Sequence, residues 1–334
     1  MNTSTPTLAV YYEHPDWFRP LFAELDRRGT PYVRLDAAAH AYDSSEPAPD
    51  YALLFNRMSA SAYLRDHGNA VFYTRYFLEH LEGTGVRVVN GSASFAIETS
   101  KALQLALLRR LNLPHPRTRV VNSAARVVEA ARGLDFPVMV KPNIGGRGAG
   151  VVRFDSPSSL ARAASEGAID FGVDHTALVQ EFVPARGGHI TRVETLAGKF
   201  LYAIKVYTTG ESYNLCPAEF CQLEDAAPAP VGEVCLADAP KAGLKVEAYT
   251  PPAEIIEAVE RIAAAGRLDL GGVEYMTDDR DGSIYFYDIN ALSNFVADAP
   301  RVVGFDPHAR LVDFLEEEAV RCVTATGSRF SAAG

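Results

Sequence analysis

Three oxygen-bearing side chains in the C-terminal third could hold a divalent cation: Glu274, Asp288 and Asn290. Glu274 lies in the run Gly272-Val-Glu-Tyr-Met276, and the other two close the run Ile284-Tyr-Phe-Tyr-Asp-Ile-Asn290. Apolar, aromatic runs on either side of an Asp/Gly-rich connector from Thr277 to Ser283 predict a β-hairpin. Side chains alternate faces along a strand, so Asp288 and Asn290 share one face. With the hairpin closed around Asp281, Glu274 lies directly opposite Asp288 on that face. Cross-strand neighbours sit about 5 Å apart, and carboxylates that close repel unless one is protonated or a cation lies between them. Two carboxylates and an amide oxygen make a hard site suited to Mg²⁺ carrying nucleotide phosphates. A solvated acidic hairpin without a ligand is the alternative at this point.

Cations that could meet such phosphates are scattered upstream. Phe136-Pro-Val-Met-Val-Lys141 reads as a strand, and Lys141 opens Lys-Pro-Asn-Ile-Gly-Gly-Arg-Gly-Ala-Gly-Val151. The glycines at 145, 146, 148 and 150 leave a side-chain-poor loop whose backbone N–H groups can wrap an anion. Val151 to Phe154 follows as a second strand, so the context is strand–loop–strand, unlike the phosphate loops that open a helix. A further hairpin is expected from Ile190–Leu196, a Gly198-Lys199 turn and Phe200–Tyr207. That register sets Arg192 directly across from Lys205. Like charges so placed are destabilising, which suits an anion lying over both; a one-residue register slip or side chains splayed into water are the alternatives.

These residues need a scaffold. A chain of 334 residues is too long for one small core and suggests two or three domains. Its 48% hydrophobic and 22% charged residues are ordinary for a globular protein. A net charge of −10 without any block of Lys and Arg argues against nucleic acid or an anionic membrane as the main partner. Cys216, Cys221, Cys235 and Cys322 show neither metal-finger spacing nor CxxC, and read as reduced thiols of a cytoplasmic protein. No signal peptide and no apolar stretch of about 18 residues are evident.

Strands at Thr7–Tyr12, Pro31–Leu35, Tyr51–Phe55 and Val86–Asn90 alternate with helices, which predicts an open α/β sheet over the first 95 residues. Ligands bind beyond the carboxyl ends of strands in such sheets, so Arg57 is either an anion contact or a surface arginine in a turn. Thr99 is expected to cap a helix through Lys101 and Leu111, and Ala177–Val183 is a further strand. Residues 224–241 read as a loop, a helix follows Thr250-Pro-Pro, and the last helix covers about 307–323 before a loosely held tail.

Taken in order, these segments resemble the ATP-grasp superfamily and, within it, the RimK-like carboxylate–amine ligases. The resemblance covers about residues 90 to 325. It rests on Thr-Ser-Lys-Ala-Leu-Gln with Leu-Pro-His-Pro-Arg-Thr, on Val-Met-Val-Lys-Pro with its glycine loop, on Leu-Val-Gln-Glu-Phe-Val, and on Gly-Val-Glu-Tyr-Met with Tyr-Asp-Ile-Asn. It implies an N-terminal α/β domain (1–95), a small lobe with the glycine loop (96–184), a metal-binding lobe (185–326) and a flexible tail (327–334), with nucleotide between the lobes. Position by position it implies Lys101 and Lys141 on ATP phosphates, with Gly145, Gly146 and Gly148 closing over them. Gln180, Glu181, Phe182 and Val183 would read adenine and ribose at the hinge, and Asn214 falls where the family often has a polar contact. Arg192 would stabilise the transferred phosphoryl group with Lys205 beside it, and Glu274, Asp288 and Asn290 would hold two Mg²⁺, for which Mn²⁺ could substitute. Two departures stand out: Ile190 occupies a place where the family usually has an acid, and Ala-Leu-Ser-Asn-Phe295 replaces its usual Pro/Gly loop.

The expected activity is an ATP-dependent ligase joining a carboxylate to an amine through an acyl phosphate. A kinase acting on a small-molecule hydroxyl and a nucleotide binder without turnover are the rivals. Arg57, Ser293 and Asn294 hint at a small anionic substrate such as an amino acid or peptide, and a homodimer is the default assembly.

Overall fold

The computed structural model describes residues 7–146, 148–207 and 245–331. It begins with β1 (Leu8–Tyr12), α1 (Arg19–Arg28), β2 (Tyr32–Asp36), β3 (Leu53–Arg57), α2 (Gly68–Gly83) and β4 (Arg87–Val89). The four strands form a parallel sheet in the order β2-β1-β3-β4. Central strands of such a sheet are covered on both faces, and β1 and β3 are buried almost throughout. Phe22 and Leu25 of α1 pack on one face, Phe77, Leu78 and Leu81 of α2 on the other. Two short helices follow, α3 (Ser92–Glu98) and α4 (Lys101–Arg110). The cap of α4 is Ser100, whose hydroxyl accepts from the Leu103 N–H at 3.2 Å, and not the expected Thr99. Thr99 instead closes α3 by donating to the Phe95 carbonyl at 2.8 Å.

The middle lobe contains β5 (Thr118–Val121), α5 (Ala124–Ala130), β6 (Val138–Pro142), β7 (Val152–Phe154), α6 (Pro157–Ser165) and β8 (Ala177–Glu181). Its antiparallel sheet runs β5-β8-β6-β7. Alternation divides its faces: Val138, Val140 and Val179 pack against Val127 and Leu160 of the helices, which turns Met139, Lys141 and Gln180 the other way.

The last lobe contains β9 (His189–Leu196), β10 (Lys199–Tyr207), β11 (Val246–Tyr249), α7 (Ala253–Gly266), β12 (Leu270–Thr277) and β13 (Ile284–Asn290), followed by α8 (Ala299–Val303) and α9 (Pro307–Ser331). The sheet order is β11-β10-β9-β12-β13. Val193, Val273 and Ile289 face Val259 and Ile262 of α7, so residues one step along each strand turn to the opposite face, where Ile190, Ile204 and Leu270 pack with β1 and β3. Arg28 of α1 bonds Asp313 of α9 at 2.7 Å, tying this lobe to the N-terminal sheet. Helix α9 runs on to Ser331, into the segment expected to be a loose tail. No described helix is long and apolar enough to cross a membrane.

The β9–β10 turn differs from expectation by one residue. Its central residues are Ala197 and Gly198, both at positive φ (53° and 70°), between paired Leu196 and Lys199. Ala197 is held there by its N–H, which donates to the Asp269 carbonyl at 2.6 Å. A bulge between Phe200 and Tyr202 completes the shift, and Arg192 pairs with Ile204 while Lys205 pairs with Thr191. Because a single slip changes faces, Lys205 leaves the face of Arg192 and lies with its Nζ 4.3 Å from the Tyr249 ring centroid.

Candidate active site

The hairpin β12–β13 brings the acids together as its spacing requires: Glu274 is the Cα partner of Asp288, and Gly272 of Asn290. Between Glu274 and Tyr275 the register shifts, leaving Tyr287 as the extra residue of a bulge. Bulges re-aim side chains, and here the Tyr287 hydroxyl donates to Glu274 Oε2 at 2.8 Å. Asn290 Nδ2 lies 3.4 Å from Glu274 Oε1.

On the next strand Arg192 is the Cα partner of Glu274. Its guanidinium donates from Nη1 to Glu274 Oε1 (3.0 Å), from Nε to Glu194 Oε1 (2.5 Å) and from Nη2 to Ser293 Oγ (3.2 Å). The group lies flat over Gly272, where an added Cβ would stand 2.6 Å from Nη2 and 2.8 Å from Cζ. Gly272→Ala should therefore displace the guanidinium and lower kcat by about 10–100-fold, with a melting temperature within a few degrees of wild type. A wild-type rate in a steady-state assay would separate this arginine from the chemistry.

Lys101, first residue of α4, puts Nζ 2.6 Å from Asp288 Oδ1. Burial and the Asp288 charge raise the Glu274 carboxyl above its usual range. Burial acts the same way on Asp288, but Lys101 outweighs it and the carboxyl ends below its usual value. Lys101 is likewise raised on balance, since its acidic neighbours exceed the effect of burial. Lys141, buried on β6, is pushed down to about 7 by burial and by Lys101. At about pH 8 its amine is mostly neutral, and phosphate oxygens favour the ammonium. ATP binding should then take up about one proton, read as a binding enthalpy that varies with the buffer's heat of ionisation. An uptake near zero would remove Lys141 from the phosphate end.

The donor set suits a hard divalent cation: paired carboxylates and an amide, with Lys101 and Arg192 compensating charge that a metal would otherwise neutralise. Among the described residues no group of three or more His, Cys, Asp or Glu forms a conventional metal cluster.

These residues line a cleft of about 480 Å³ between the two lobes. Met139, Lys141, Gly145, Gly146 and Gly148 form one wall, and Arg192, Glu274, Met276, Asp288 and Asn290 the facing one. Gln180, Glu181, Phe182 and Val183 close one end. There Gln180 Nε2 donates to Thr118 Oγ1 at 2.9 Å, and Glu181 Oε1 accepts from Arg117 Nη1 at 2.8 Å. The Phe182 N–H is taken by the Pro137 carbonyl at 2.9 Å, which leaves Val183 as the next amide along the hinge. At the other end the N-terminal domain contributes Trp17, Ser59 and Ser61. Gly146 packs so tightly on Ser61 that a Cβ would fall 2.7 Å from the serine Cβ.

Of the residues expected at the site, Lys205 is on the wrong face and Asn214 lies outside the described residues. Arg57 ends β3 but stands behind the cleft wall, only 2% exposed. Its Nη2 donates to the Ser293 carbonyl (2.5 Å) and to Asn294 Oδ1 (2.9 Å), while Nε and Nη1 have no hydrogen-bond partner among the described residues. Burial, only partly offset by Glu98 and Glu194, pushes it down to about 9. Asn294 itself lines the cleft, whereas Ser293 is buried under Arg192. Glu98, Glu194 and Tyr287 were not anticipated. Glu194 was legible by alternation, two residues from Arg192 on the same face; Tyr287 was not, because an inserted bulge residue has no pattern of its own.

No family model matches the chain. It is 35% identical over 109 residues to the carbamoyl phosphate synthase large chain of Rubrobacter xylanophilus, covering 31% of this chain and 10% of that protein. It is 27% identical over 163 residues to a probable alpha-L-glutamate ligase 2 of Pseudoalteromonas atlantica, covering 48% of this chain and 50% of that one. The chain thus spans half or less of the length of these curated relatives. A RimK domain ATP-grasp protein from Sphaerobacter thermophilus superposes with a TM-score of 0.63 at 20% identity, over 92% of this chain and 98% of that one. The ATP-grasp ligase PsnB, in complex with a phosphomimetic variant of its minimal precursor, Mg and ADP, superposes with a TM-score of 0.65 at 18% identity, over 95% and 100%.

Proposed function

We propose that this chain, which has the ATP-grasp fold, is an ATP-dependent carboxylate–amine ligase of the RimK-like kind. The observation that carries the reading is the row Arg192–Glu274–Asp288 on adjacent strands, facing Lys141 across one cleft with Lys101 bonded to Asp288. A site that only held a nucleotide would not need a buried guanidinium beside the acids.

ATP enters with its base toward Val183 and its phosphates between Lys101, Lys141 and the loop Gly145–Gly148. Glu274, Asp288 and Asn290 would hold Mg²⁺, which when bound supplies charge neutralisation for the phosphate oxygens. The substrate carboxylate attacks the terminal phosphorus, ADP leaves, and an acyl phosphate remains. Arg192, fixed by Glu194, Glu274 and Ser293, offsets charge that builds on the transferred group. An amine then attacks the acyl carbon and phosphate departs. The glycine loop against Ser61 limits water, which would otherwise hydrolyse the intermediate. Arg57 serves this chemistry from behind, by fixing Ser293 and Asn294. The substrates we assign are amino acids or short peptides, the compartment the ATP-rich cytoplasm and the assembly a homodimer.

The test is ADP release from ATP and Mg²⁺ over a panel of amino acids and dipeptides, with hydroxylamine as trap. A carboxylate-dependent hydroxamate is expected. A phosphorylated alcohol would replace the ligase by a kinase, and no turnover with any member would leave a binder.

A further inference from the structure

Four acids line the cleft among its described residues, and three are already bonded to a cation: Glu181 to Arg117 (2.8 Å), Glu274 to Arg192 (3.0 Å) and Asp288 to Lys101 (2.6 Å). The fourth, Glu98, has no ion-pair partner among the described residues. Its Oε2 accepts from the Ala291 N–H (2.6 Å) and the Leu292 N–H (3.1 Å), the two amides that directly follow Asn290. That grip fixes the carboxylate to the segment leaving the acidic hairpin and leaves Oε1 for the cleft. Glu98 is also the last residue of α3, the end of a helix that disfavours a negative charge. Burial and Asp288 raise its carboxyl, and the two amides and Lys101 only partly offset this.

A triphosphate and a carboxylate would both avoid such a group. The remaining reactant is an amine, which arrives in water as an ammonium ion and must lose a proton before it can attack. We propose that Glu98 receives the acceptor's ammonium group, holds it beside the acyl phosphate and takes its proton, a role that rests on the ligase reading above. The step balances: the ammonium gives one proton to the Glu98 carboxylate, and the freed nitrogen pair forms the C–N bond. The bond from the acyl carbon to the oxygen bridging it to phosphorus breaks, phosphate leaves with the electrons of that bond, and it carries off the second amine proton.

The test compares wild type with Glu98→Gln, whose amide oxygen can still accept from Ala291 and Leu292. Each protein is given ATP, Mg²⁺ and the best amino acid of the panel, with either that amino acid's own amine or hydroxylamine as acceptor. Hydroxylamine is uncharged at neutral pH and needs no anion to receive it. Glu98→Gln should lower amide formation about 100-fold while hydroxamate stays within about two-fold of wild type. The ratio of the products is independent of how much enzyme is folded, and Glu98→Asp should restore part of it. Parallel loss of both products would move Glu98 to phosphoryl transfer, and an unchanged amide rate would remove it from the reaction; either overturns the proposal. A wild type that makes neither product would overturn the ligase reading itself, a different result from a changed ratio.

Discussion

Asp288→Asn should lower turnover about 10³-fold at millimolar Mg²⁺, the largest single loss expected for the acidic hairpin. The substitution is isosteric but removes two things together: the anionic oxygen proposed to hold the metal and the charged partner of Lys101. Asparagine leaves Lys101 bonded to a dipole in place of a charge, so nucleotide phosphates compete for that ammonium more easily. ATP should consequently bind with little loss, or slightly more tightly, while kcat collapses. Some stability should be lost as well, because Lys101 holds the Asp288 carboxyl below its usual value and loses its charged partner, a cost only partly offset by relieved repulsion with Glu274. Nucleotide titration beside a turnover assay reads both quantities, and full activity would remove Asp288 from the metal site.

Arg192→Lys should cost about 10²–10³-fold in kcat. A lysine can satisfy one of the three oxygens that the guanidinium holds, and it lacks the planar fork that rests on Gly272. Arg192→Leu goes further, because it leaves Glu194, about 2% exposed in its side chain, as a buried charge without its partner. That variant should lose about 3–5 kcal/mol of stability. Denaturant unfolding of the two separates the roles: a leucine variant as stable as wild type would mean that the Arg192–Glu194 contact contributes nothing to the fold.

Much of this site could be read before folding because two regularities converge there. Alternation put Asp288 and Asn290 on one face, and the polar connector centred the hairpin so that Glu274 met Asp288. The strand–loop–strand around Lys141 was similarly legible from valines on one side and glycines on the other. Legibility ended where one residue decided a register. Ala197 adopts positive φ because Asp269, from a distant loop, accepts its N–H, and no local pattern announces that. The short edge strand β11 escaped for a related reason: four residues of mixed character gain strand geometry only by pairing with β10. Glu98 was invisible as a site residue because its meaning comes from Ala291 and Leu292, nearly two hundred positions away in the chain.

Arg57 spans a comparable separation, from the end of β3 to Ser293 and Asn294. The opening domain is therefore masonry of the reaction chamber and not an accessory fixed to its outside. A change at the end of β3 or just after it would reach the chamber twice, through Asn294 on its wall and through Ser61 against Gly146 of the glycine loop.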